Sequence, residues 1–571
     1  MAFTFLRSLS CAALLATTAL PVLSDGVSGA YLAGRHANYS SDFKAAAQYY
    51  TRALTRDSSN PVLLENAVLA QLSLGEISRA LPIARKMDSD GLQSQISQMV
   101  LIADLVDQGD YAAILARIEQ DKGVGPLVDG LLGAWAQLGS GQMSDALAAF
   151  DTVSTERGLS GFALYHKALA LASVGDFEGA EAIYADDSTG AVQMTRRGAM
   201  SRIEVLSQLD RNTEALDHLT AAFGTELDPG LRLLRDRLET GETLPFTHVT
   251  SARDGMAEVF YTVAGALQSE ASPDYTLLYT RVAEFLRSDH VDALLLTADL
   301  LEEMGRFELA TAAYKRVPAD HPAFHAAELG RAEALRRTDK TEAAIEVLEQ
   351  LARTHGDLAI VHSTLGDFLR QQKNFKAAIT AYNQSLAIYG ENSTERSQWF
   401  LYYARGICYE RLDDWEAAHA DFRSALELNP SQPQVLNYLG YSLVEKQQTL
   451  DVALEMIERA VSVRPDSGYI VDSLGWALYR MARYEEAVDH MERAVELMAV
   501  DPVVNDHLGD VYWAVGRYLE AEFQWRRALS FVDEDTAEEA KPDRIRRKLE
   551  VGLDAVLAEE GEEPLKVAND G

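Results

Sequence analysis

Two consecutive stretches near the carboxyl end of the chain decide the fold. Residues 469–498 read YIVDSLGWALYRMARYEEAVDHMERAVELM, and residues 503–531 read VVNDHLGDVYWAVGRYLEAEFQWRRALSF. In the first stretch Gly475 is followed nine residues later by Tyr484 and three residues after that by Ala487, and the second repeats this spacing. Small residues let two antiparallel helices approach closely, and the aromatic ring fills the space beside their turn. Each stretch is therefore predicted to be a helical hairpin.

The same spacing recurs through most of the chain. Residues 399–430 and 434–465 carry two further copies, around Gly406 and Gly440, and the second of these has one extra residue in its turn. The alanine position returns mostly at intervals of 34 residues, and it is occupied by Ala46, Ala80, Ile114, Ala146, Ala180, Ala215, Ala310, Ala344, Ala378, Ala418, Ala453, Ala487 and Ala521. A single hairpin of this kind cannot bury its apolar faces, so neighbouring hairpins must stack. We predict an all-α, right-handed superhelical solenoid of about 13–14 hairpins with a carboxy-terminal capping helix.

The repeat register also predicts how the chain is divided. The alanine series has a gap between Ala215 and Ala310, and within this gap the period fails from Leu231 to Ala252, where residues 241–246, GETLPF, have the composition of a loop and form the candidate hinge. Helical patterning is predicted to resume over 253–268 and 275–287, with a turn at Ser272-Pro273 between them. The predicted segments are a signal peptide (1–24), an amino-terminal arm of about six hairpins (25–230), a degenerate repeat with the hinge loop (231–291), a carboxy-terminal arm of about seven hairpins (292–536), a capping helix (537–558, with its amphipathic part at 542–557) and a disordered acidic tail (559–571).

The amino-terminal segment has the pattern of an export signal. It carries one positive charge, then an apolar stretch, then small residues, which favours cleavage after Ser24 or Ala30. Cys11 is a possible lipid-attachment site, although most of the apolar stretch follows it. Cys408, the second of the 2 cysteines, is predicted to be a buried core residue, and a structural disulfide is excluded. The mature protein is predicted to be exported, with no transmembrane segment.

Charge and motifs exclude several classes of function. With 87 acidic against 52 basic residues the net charge is −35, which repels the phosphate backbone of nucleic acids. No H-E-x-x-H, paired C-x-x-C, Walker-type or G-x-S-x-G motif occurs, so we predict no enzyme activity and no cofactor. His321 and His325 lie four residues apart, but Pro322 between them favours a turn over a metal site.

A basic cluster near the carboxyl end stands out in this acidic chain. It could recruit an acidic partner or lipid headgroups, but pairing with Glu538, Glu539 and Glu550 is the simpler expectation. The cluster consists of Arg526, Arg527, Lys541, Arg544, Arg546, Arg547 and Lys548.

The first helix of each hairpin is predicted to line the inner, concave face of the solenoid. Several of its inward positions carry large aromatic, charged or amide side chains, which core packing does not require and which protein-binding hot spots use. Packing between adjacent helices is the alternative role for each of them. The candidates for protein binding are Tyr403, Arg411, Asn437, Tyr441, Asp472, Trp476, Tyr479, Arg480, Asp506, Asp510 and Trp513.

These residues match the tetratricopeptide-repeat pattern over about four-fifths of the chain. The segments at 28–34, 254–258, 437–441, 472–476 and 506–510 further resemble a proteobacterial envelope family of such proteins. The resemblance implies a periplasmic adaptor, peripheral to the outer membrane in some members, that holds a carboxy-terminal processing protease and its substrates. The function expected is thus a non-catalytic protein-binding scaffold of the cell envelope; the alternative is an assembly factor of the outer membrane or cell wall that binds a polymer or a barrel protein.

Overall fold

The chain is helical in every part that the structure describes. The computed structural model describes residues 27–186, 195–224, 227–390, 396–562 and 565, and no strand occurs among them. The predicted signal peptide, with Cys11, lies outside the described residues, as do residues 566–571 of the predicted tail. The chain divides into two compact units, Met1–Leu351 and Ala352–Gly571, called here the N-terminal unit and the C-terminal unit.

In the N-terminal unit the helices from α1 to α17 pair into antiparallel hairpins, apart from α13. The last helix of the series runs across the boundary between the units. The helices are α1 (Val27–Tyr39), α2 (Phe43–Leu54), α3 (Pro61–Ser73), α4 (Ile77–Ser89), α5 (Gln95–Gln108), α6 (Tyr111–Glu119), α7 (Pro126–Gly139), α8 (Met143–Thr155), α9 (Ser160–Ser173), α10 (Phe177–Tyr184), α11 (Arg196–Gln208), α12 (Asn212–Phe223), α13 (Pro229–Glu239), α14 (Ala252–Leu267), α15 (Pro273–Leu286), α16 (Val291–Glu303), α17 (Phe307–Tyr314), α18 (Phe324–Arg336) and α19 (Thr341–Thr354).

The C-terminal unit contains five hairpins followed by three short helices. A single turn of 3₁₀ helix, Arg396–Gln398, precedes the second hairpin. The helices are α20 (Ala359–Gln371), α21 (Phe375–Tyr389), α22 (Trp399–Glu410), α23 (Trp415–Leu428), α24 (Pro433–Glu445), α25 (Leu450–Val463), α26 (Gly468–Arg480), α27 (Tyr484–Leu497), α28 (Pro502–Ala514), α29 (Tyr518–Phe531), α30 (Ala537–Ala540), α31 (Pro542–Val551) and α32 (Leu553–Glu560).

The repeating alanine position is buried in every hairpin that carries it. All of the residues predicted for this position, from Ala46 to Ala521, are 0% exposed, and each lies in the second helix of a hairpin. This burial confirms the predicted register. It also explains the choice of residue, because a larger side chain would push the second helix away from the first.

The glycine of a hairpin faces a large side chain on the partner helix. A Cβ atom added at Gly509 would lie 2.4 Å from the Trp525 ring, and one added at Gly475 would lie 2.3 Å from the sulfur of Met491. In both hairpins the large residue follows the glycine by sixteen positions. The sequence analysis identified the small residues but not these bulky partners.

The degenerate segment of the repeat forms a hairpin, α14–α15, that lies on the first helices of the N-terminal hairpins. Helix α14 packs on α7 and α9, and α15 packs on α3 and α5. Side chains on all sides of this hairpin are buried, including Phe260 at 0% exposure. The repeat pattern fails here because the two helices are surrounded by other helices, so neither needs an apolar stripe with a polar back. The inner face of the N-terminal unit is therefore filled.

The loop that was predicted to be a hinge is tied to helices on both sides. The Leu244 backbone N–H donates to Ser207 Oγ at 2.9 Å, and Asn212 Nδ2 donates to the Glu242 carbonyl at 3.0 Å. Directly after the loop, Arg287 Nη1 donates to the His248 carbonyl at 2.5 Å. Leu244 within the loop is 1% exposed. The break in periodicity marks the crossing to the inner hairpin, and these contacts restrain the loop.

The carboxy-terminal cap differs in detail from the single helix predicted over 542–557. It contains two helices, α31 and α32, separated at Gly552, which adopts a φ of 83°. The Trp513 ring packs against this glycine, because a Cβ placed there would lie 2.6 Å from the ring. A positive φ and this close contact both favour glycine, so the chain turns here instead of continuing as one helix.

None of the described helices combines the length and the apolar composition needed to cross a membrane.

Candidate functional site

A cavity of about 950 Å³ lies on the inner face of the C-terminal unit. Its walls come from the first helices α24, α26 and α28 and from the segment that follows α29. More than half of the predicted protein-binding residues line this cavity. They are Tyr441, Trp476, Tyr479, Arg480, Asp506 and Asp510. Positions chosen from the repeat register thus converge on one concave site, the kind of place where ligands bind.

Three of the remaining candidates do not line this cavity. Tyr403 makes an edge contact with Tyr438 at 5.8 Å between centroids, within the layer between helices. Trp513 donates its indole N–H to Asp554 Oδ2 at 3.0 Å and so holds the cap. Arg411 is exposed at the end of α22.

The last two candidates are buried amide and acid groups. Asn437 is 4% exposed, and its Oδ1 atom has no hydrogen-bond partner. Asp472 is bound to His507, a residue that the sequence analysis did not single out. His507 comes one residue after an inward position, and nothing in the repeat pattern distinguishes it.

Three rings form a stack along the cavity wall. The Trp476 and Tyr479 rings lie 4.8 Å apart at an interplanar angle of 19°, and Trp476 and His507 lie 4.0 Å apart at 16°. The Trp476 indole N–H donates to Glu445 Oε1 at 2.7 Å. Because its neighbours fix both its plane and its N–H, Trp476 is a rigid aromatic wall, which lowers the entropy cost of binding a ligand against it.

The pKa of His507, at the base of this stack, is raised above its usual value. Its Nδ1 atom lies 3.1 Å from both carboxylate oxygens of Asp472. Burial acts to lower the pKa of His507, but the negative charges of Asp472, Asp506 and Asp510 outweigh it, so the pKa is raised. The imidazolium form is therefore favoured next to the cavity.

Asp506 and Asp510 bind a lysine of the chain itself. Lys548 of α31 is 1% exposed, and its ammonium lies 2.6 to 2.9 Å from four carboxylate oxygens of these two residues. The Trp525 indole N–H also donates to Asp510 at 2.9 Å. Burial raises the pKa of Asp506, and the Lys548 ammonium opposes this. Two of the three predicted binding carboxylates thus hold the cap in place.

Of the ion pairs predicted for the basic cluster, one forms as expected and another does not. Arg547 binds Glu550 at 3.0 Å, as predicted, and also Glu559 at 2.7 Å. Glu538, in contrast, pairs with Lys373 of the turn after α20. The long-range pairs of Lys548 and Lys373 have no signal in the local sequence, because they join residues far apart in the chain.

The second cluster of titratable groups belongs to the N-terminal unit. The Glu258 carboxylate of the inner hairpin is 0% exposed and accepts hydrogen bonds from Arg197, His290 and Tyr165 at 2.7 to 3.1 Å. Although burial favours the neutral acid, the charge of Arg197 and the contact with His290 hold the pKa of Glu258 well below its usual range. With its carboxylate enclosed by these partners, the cluster fixes the inner hairpin to the repeats.

Two weaker sequence candidates have ordinary structural roles. Cys408 is 0% exposed, as predicted, and burial raises the pKa of its thiol to about 12. His321 Nδ1 accepts the backbone N–H of Ala323 at 3.1 Å, which is the contact of a turn. Over the described part of the chain, no group of three or more histidine, cysteine or acidic side chains is arranged to hold a metal ion.

Comparison with known families identifies the repeats. Residues 357–431 match one tetratricopeptide-repeat family model, and residues 295–359 and 403–470 match a second. Residues 295–470 carry tetratricopeptide repeats. The matches lie in the part of the chain where hairpins with the glycine and alanine register follow one another without a break. Repeats of this type generally bind other proteins or peptides, and no catalytic family is evident.

Individual proteins are similar to this chain at low sequence identity. A TPR repeat-containing protein of Pseudomonas aeruginosa is 26% identical over 165 residues, which is 29% of this chain and 27% of that protein, so the match spans about a quarter of the relative. Among solved structures, the APC/C hetero-tetramer Cut9–Hcn1 is 14% identical with a TM-score of 0.38, covering 96% of this chain and 98% of that one. YrrB, described as a TPR protein with an unusual peptide-binding site, is 20% identical with a TM-score of 0.27, covering 34% and 98%.

Proposed function

We propose that this chain is a non-catalytic adaptor of the bacterial cell envelope that binds partner proteins on the inner face of its C-terminal unit. The observation that carries the proposal is the cavity lined by Tyr441, Trp476, Tyr479 and Arg480. Rigid aromatic rings next to an arginine supply buried area and directional hydrogen bonds, the combination found in protein-binding hot spots.

The contrast with the N-terminal unit supports this choice of surface. There the corresponding face is covered by α14 and α15, whose side chains join the core. A partner cannot reach those first helices without removing a buried hairpin, which would cost far more than a binding site can return. The N-terminal unit is therefore assigned a supporting role.

The envelope location and the partner class are further parts of the proposal. They rest on the signal-like amino terminus and on the resemblance to periplasmic adaptors. A carboxy-terminal processing protease is the partner that this resemblance implies. The protein would then be exported, periplasmic and peripheral to the outer membrane.

Affinity purification of the mature chain from its native envelope, with reversible cross-linking, tests the proposal. We expect a stoichiometric protein partner that is lost with Trp476→Ala while the helical content is retained. Phe523→Ala is the matched control, because Phe523 is 60% exposed on the second helix α29, away from the cavity wall. Equal recovery from both variants would contradict the assigned surface. Co-sedimentation with purified sacculi in place of a protein partner would instead support an assembly factor that binds a polymer.

A further inference from the structure

An acidic segment of the chain borders the cavity. Residues 533–541, with the sequence DEDTAEEAK and called here the acidic strap, connect α29 to the cap. Glu539, Ala540 and Lys541 line the cavity together with Tyr441 and Trp476. One residue earlier, Glu538 accepts a hydrogen bond from Lys373 at 2.7 Å. The strap therefore spans the inner face from the last hairpin to the first hairpin of the C-terminal unit.

The surface beside the strap carries basic side chains, unlike most of this acidic chain. Lys373 and Arg411 both act on Glu538 and lower the pKa of its carboxyl group, the hydrogen bond from Lys373 being the main cause. Arg480 lines the same cavity wall as Glu539. Of the acids that also line the cavity, Asp506 and Asp510 bind Lys548 and Glu560 binds Arg544, so the chain itself neutralises them. Lys373 and Arg411 act on the strap from the first two hairpins of the unit, an arrangement that selects partners by charge.

The strap is held far more loosely than the cap that follows it. The Lys373–Glu538 pair is 72% and 83% exposed, and ion pairs of this kind contribute little to stability. Helix α30 has only four residues and buries one of them, Ala540. The cap, in contrast, buries Ile545 and Leu553 completely and anchors Lys548 between two carboxylates. The contacts that hold the strap are therefore weaker than those that hold the cap.

We propose that the inner face of the C-terminal unit binds an acidic segment of a partner protein, and that the acidic strap occupies this surface as an internal competitor until the partner displaces it. This inference rests on the proposed function and specifies the chemistry of the partner. Lys373, Arg411 and Arg480 supply the positive charges that both segments use. The aromatic wall of Trp476 and Tyr479 supplies the apolar contact.

A labelled peptide with the sequence of residues 532–542 is the probe, and binding to the full chain is measured by fluorescence anisotropy at low and high salt. Reversing two strap charges in Glu538→Lys/Glu539→Lys should free the surface. Because an occupied surface reduces apparent affinity by the fraction that is open, we expect the peptide to bind roughly tenfold more tightly to this variant than to the natural chain. The gain should shrink at high salt.

The matched control is Glu485→Lys/Glu486→Lys, which makes the same change in net charge at two exposed residues of the second helix α27. It should leave the affinity unchanged. Adding Arg411→Glu/Arg480→Glu to the strap variant should abolish binding, and a peptide with lysine in place of its glutamates should not bind. An equal gain in the control, or tighter binding of the lysine peptide, would overturn the proposal. Circular dichroism checks that each variant is folded.

The outcome can be separated from failure of the proposed function. If partner capture depends on Trp476 while neither the strap variant nor the acidic peptide alters it, the adaptor function stands and the competitor is refuted. If the peptide binds and responds to the strap variant as expected while no partner is captured, the surface chemistry stands and the envelope role is refuted.

Discussion

The two units use the same hairpin but treat its inner face in opposite ways. In the N-terminal unit the first helices support α14 and α15, and the Trp135 ring lies against Gly255 of this inner hairpin. In the C-terminal unit the first helices α24, α26 and α28 border a cavity of about 950 Å³. The repeat register therefore predicts which surface of a hairpin is suited to binding a partner. Whether that surface is accessible depends on whether another segment of the chain covers it.

In both units a buried ion pair attaches an added segment to the repeats, but the sign of the charge on that segment differs. In the N-terminal unit a carboxylate from the covering hairpin, Glu258, is bound by Arg197 of the repeats. In the C-terminal unit an ammonium from the cap, Lys548, is bound by Asp506 and Asp510 of the repeats. Each buried charge pins an added segment to first helices. Removing either charge should therefore weaken one unit and spare the other.

The largest effect is expected from Glu258→Ala. It removes the acceptor of His290 and Tyr165 and leaves Arg197 with Asp292 as its remaining counter-charge, and breaking a buried ion pair costs about 3–5 kcal/mol. Hydrogen exchange followed by mass spectrometry should show α14 and α15 losing protection, with the C-terminal unit unchanged. Glu214→Gln is the control, because it removes an exposed partner of Arg211 in the same unit. Retained protection of α14 would mean that packing alone holds the inner hairpin.

Lys548→Met should come next, with a loss of about 3 kcal/mol in the C-terminal unit, because two neighbouring carboxylates lose their shared cation. Arg544, 3.6 Å from Asp510, remains and limits the damage. The loss should shrink as pH falls from 7 to 4, since burial raises the pKa of Asp506 and its unpaired carboxyl group then takes up a proton. Urea unfolding at both pH values measures this. Arg546→Met, which removes an exposed pair with Asp543, should have no such pH-dependent effect.

Two glycine substitutions, one in each unit, compare the packing of the hairpins and should change stability less than the charge substitutions. Gly509→Ala places a methyl group 2.4 Å from the Trp525 ring, and overpacking of this kind costs about 1–3 kcal/mol. Gly265→Ala in the exposed part of α14 meets no atom within 4 Å and should stabilise the N-terminal unit by up to about 1 kcal/mol through helix propensity. Thermal unfolding of both variants distinguishes the two. A destabilising Gly265→Ala would show that this part of α14 has another contact.

The sequence predicts the hairpins well because their register depends on small residues at fixed spacing. Ala487 and Gly475 can each be identified locally, and their burial follows from the close approach of two helices. The position of the inner hairpin could not be predicted, because α14 and α15 are placed by contacts with helices far away in the chain. Lys548 shows the same limit within the site. Its partner Asp506 was chosen as a binding residue from its inward position, but the cap that covers it is fixed only by folding.

The smallest expected effect is that the stability of the two units changes with pH in opposite directions. Burial lowers the pKa of His166 in the N-terminal unit to about 4, whereas the pKa of His507 is raised in the C-terminal unit, where nearby carboxylates outweigh burial. An unfolded histidine titrates near pH 6.5. Since His166 stays neutral in the folded unit, stability there should fall as pH drops below about 6.5, when only the unfolded chain takes up the proton.

For His507 the sign is reversed. The folded unit holds the proton more tightly than the unfolded chain, so its stabilisation is complete below about pH 6.5 and is lost as pH rises through the folded pKa. Region-resolved hydrogen exchange at pH 5, 6.5 and 8, corrected for intrinsic exchange rates, should show α9 weakening toward acid and α28 weakening toward base. His507→Gln should remove the second trend and keep the first. If the protection of α28 changed with pH to the same extent with and without His507, the cluster of Asp506 and Lys548 beside it, and not His507, would cause this pH dependence.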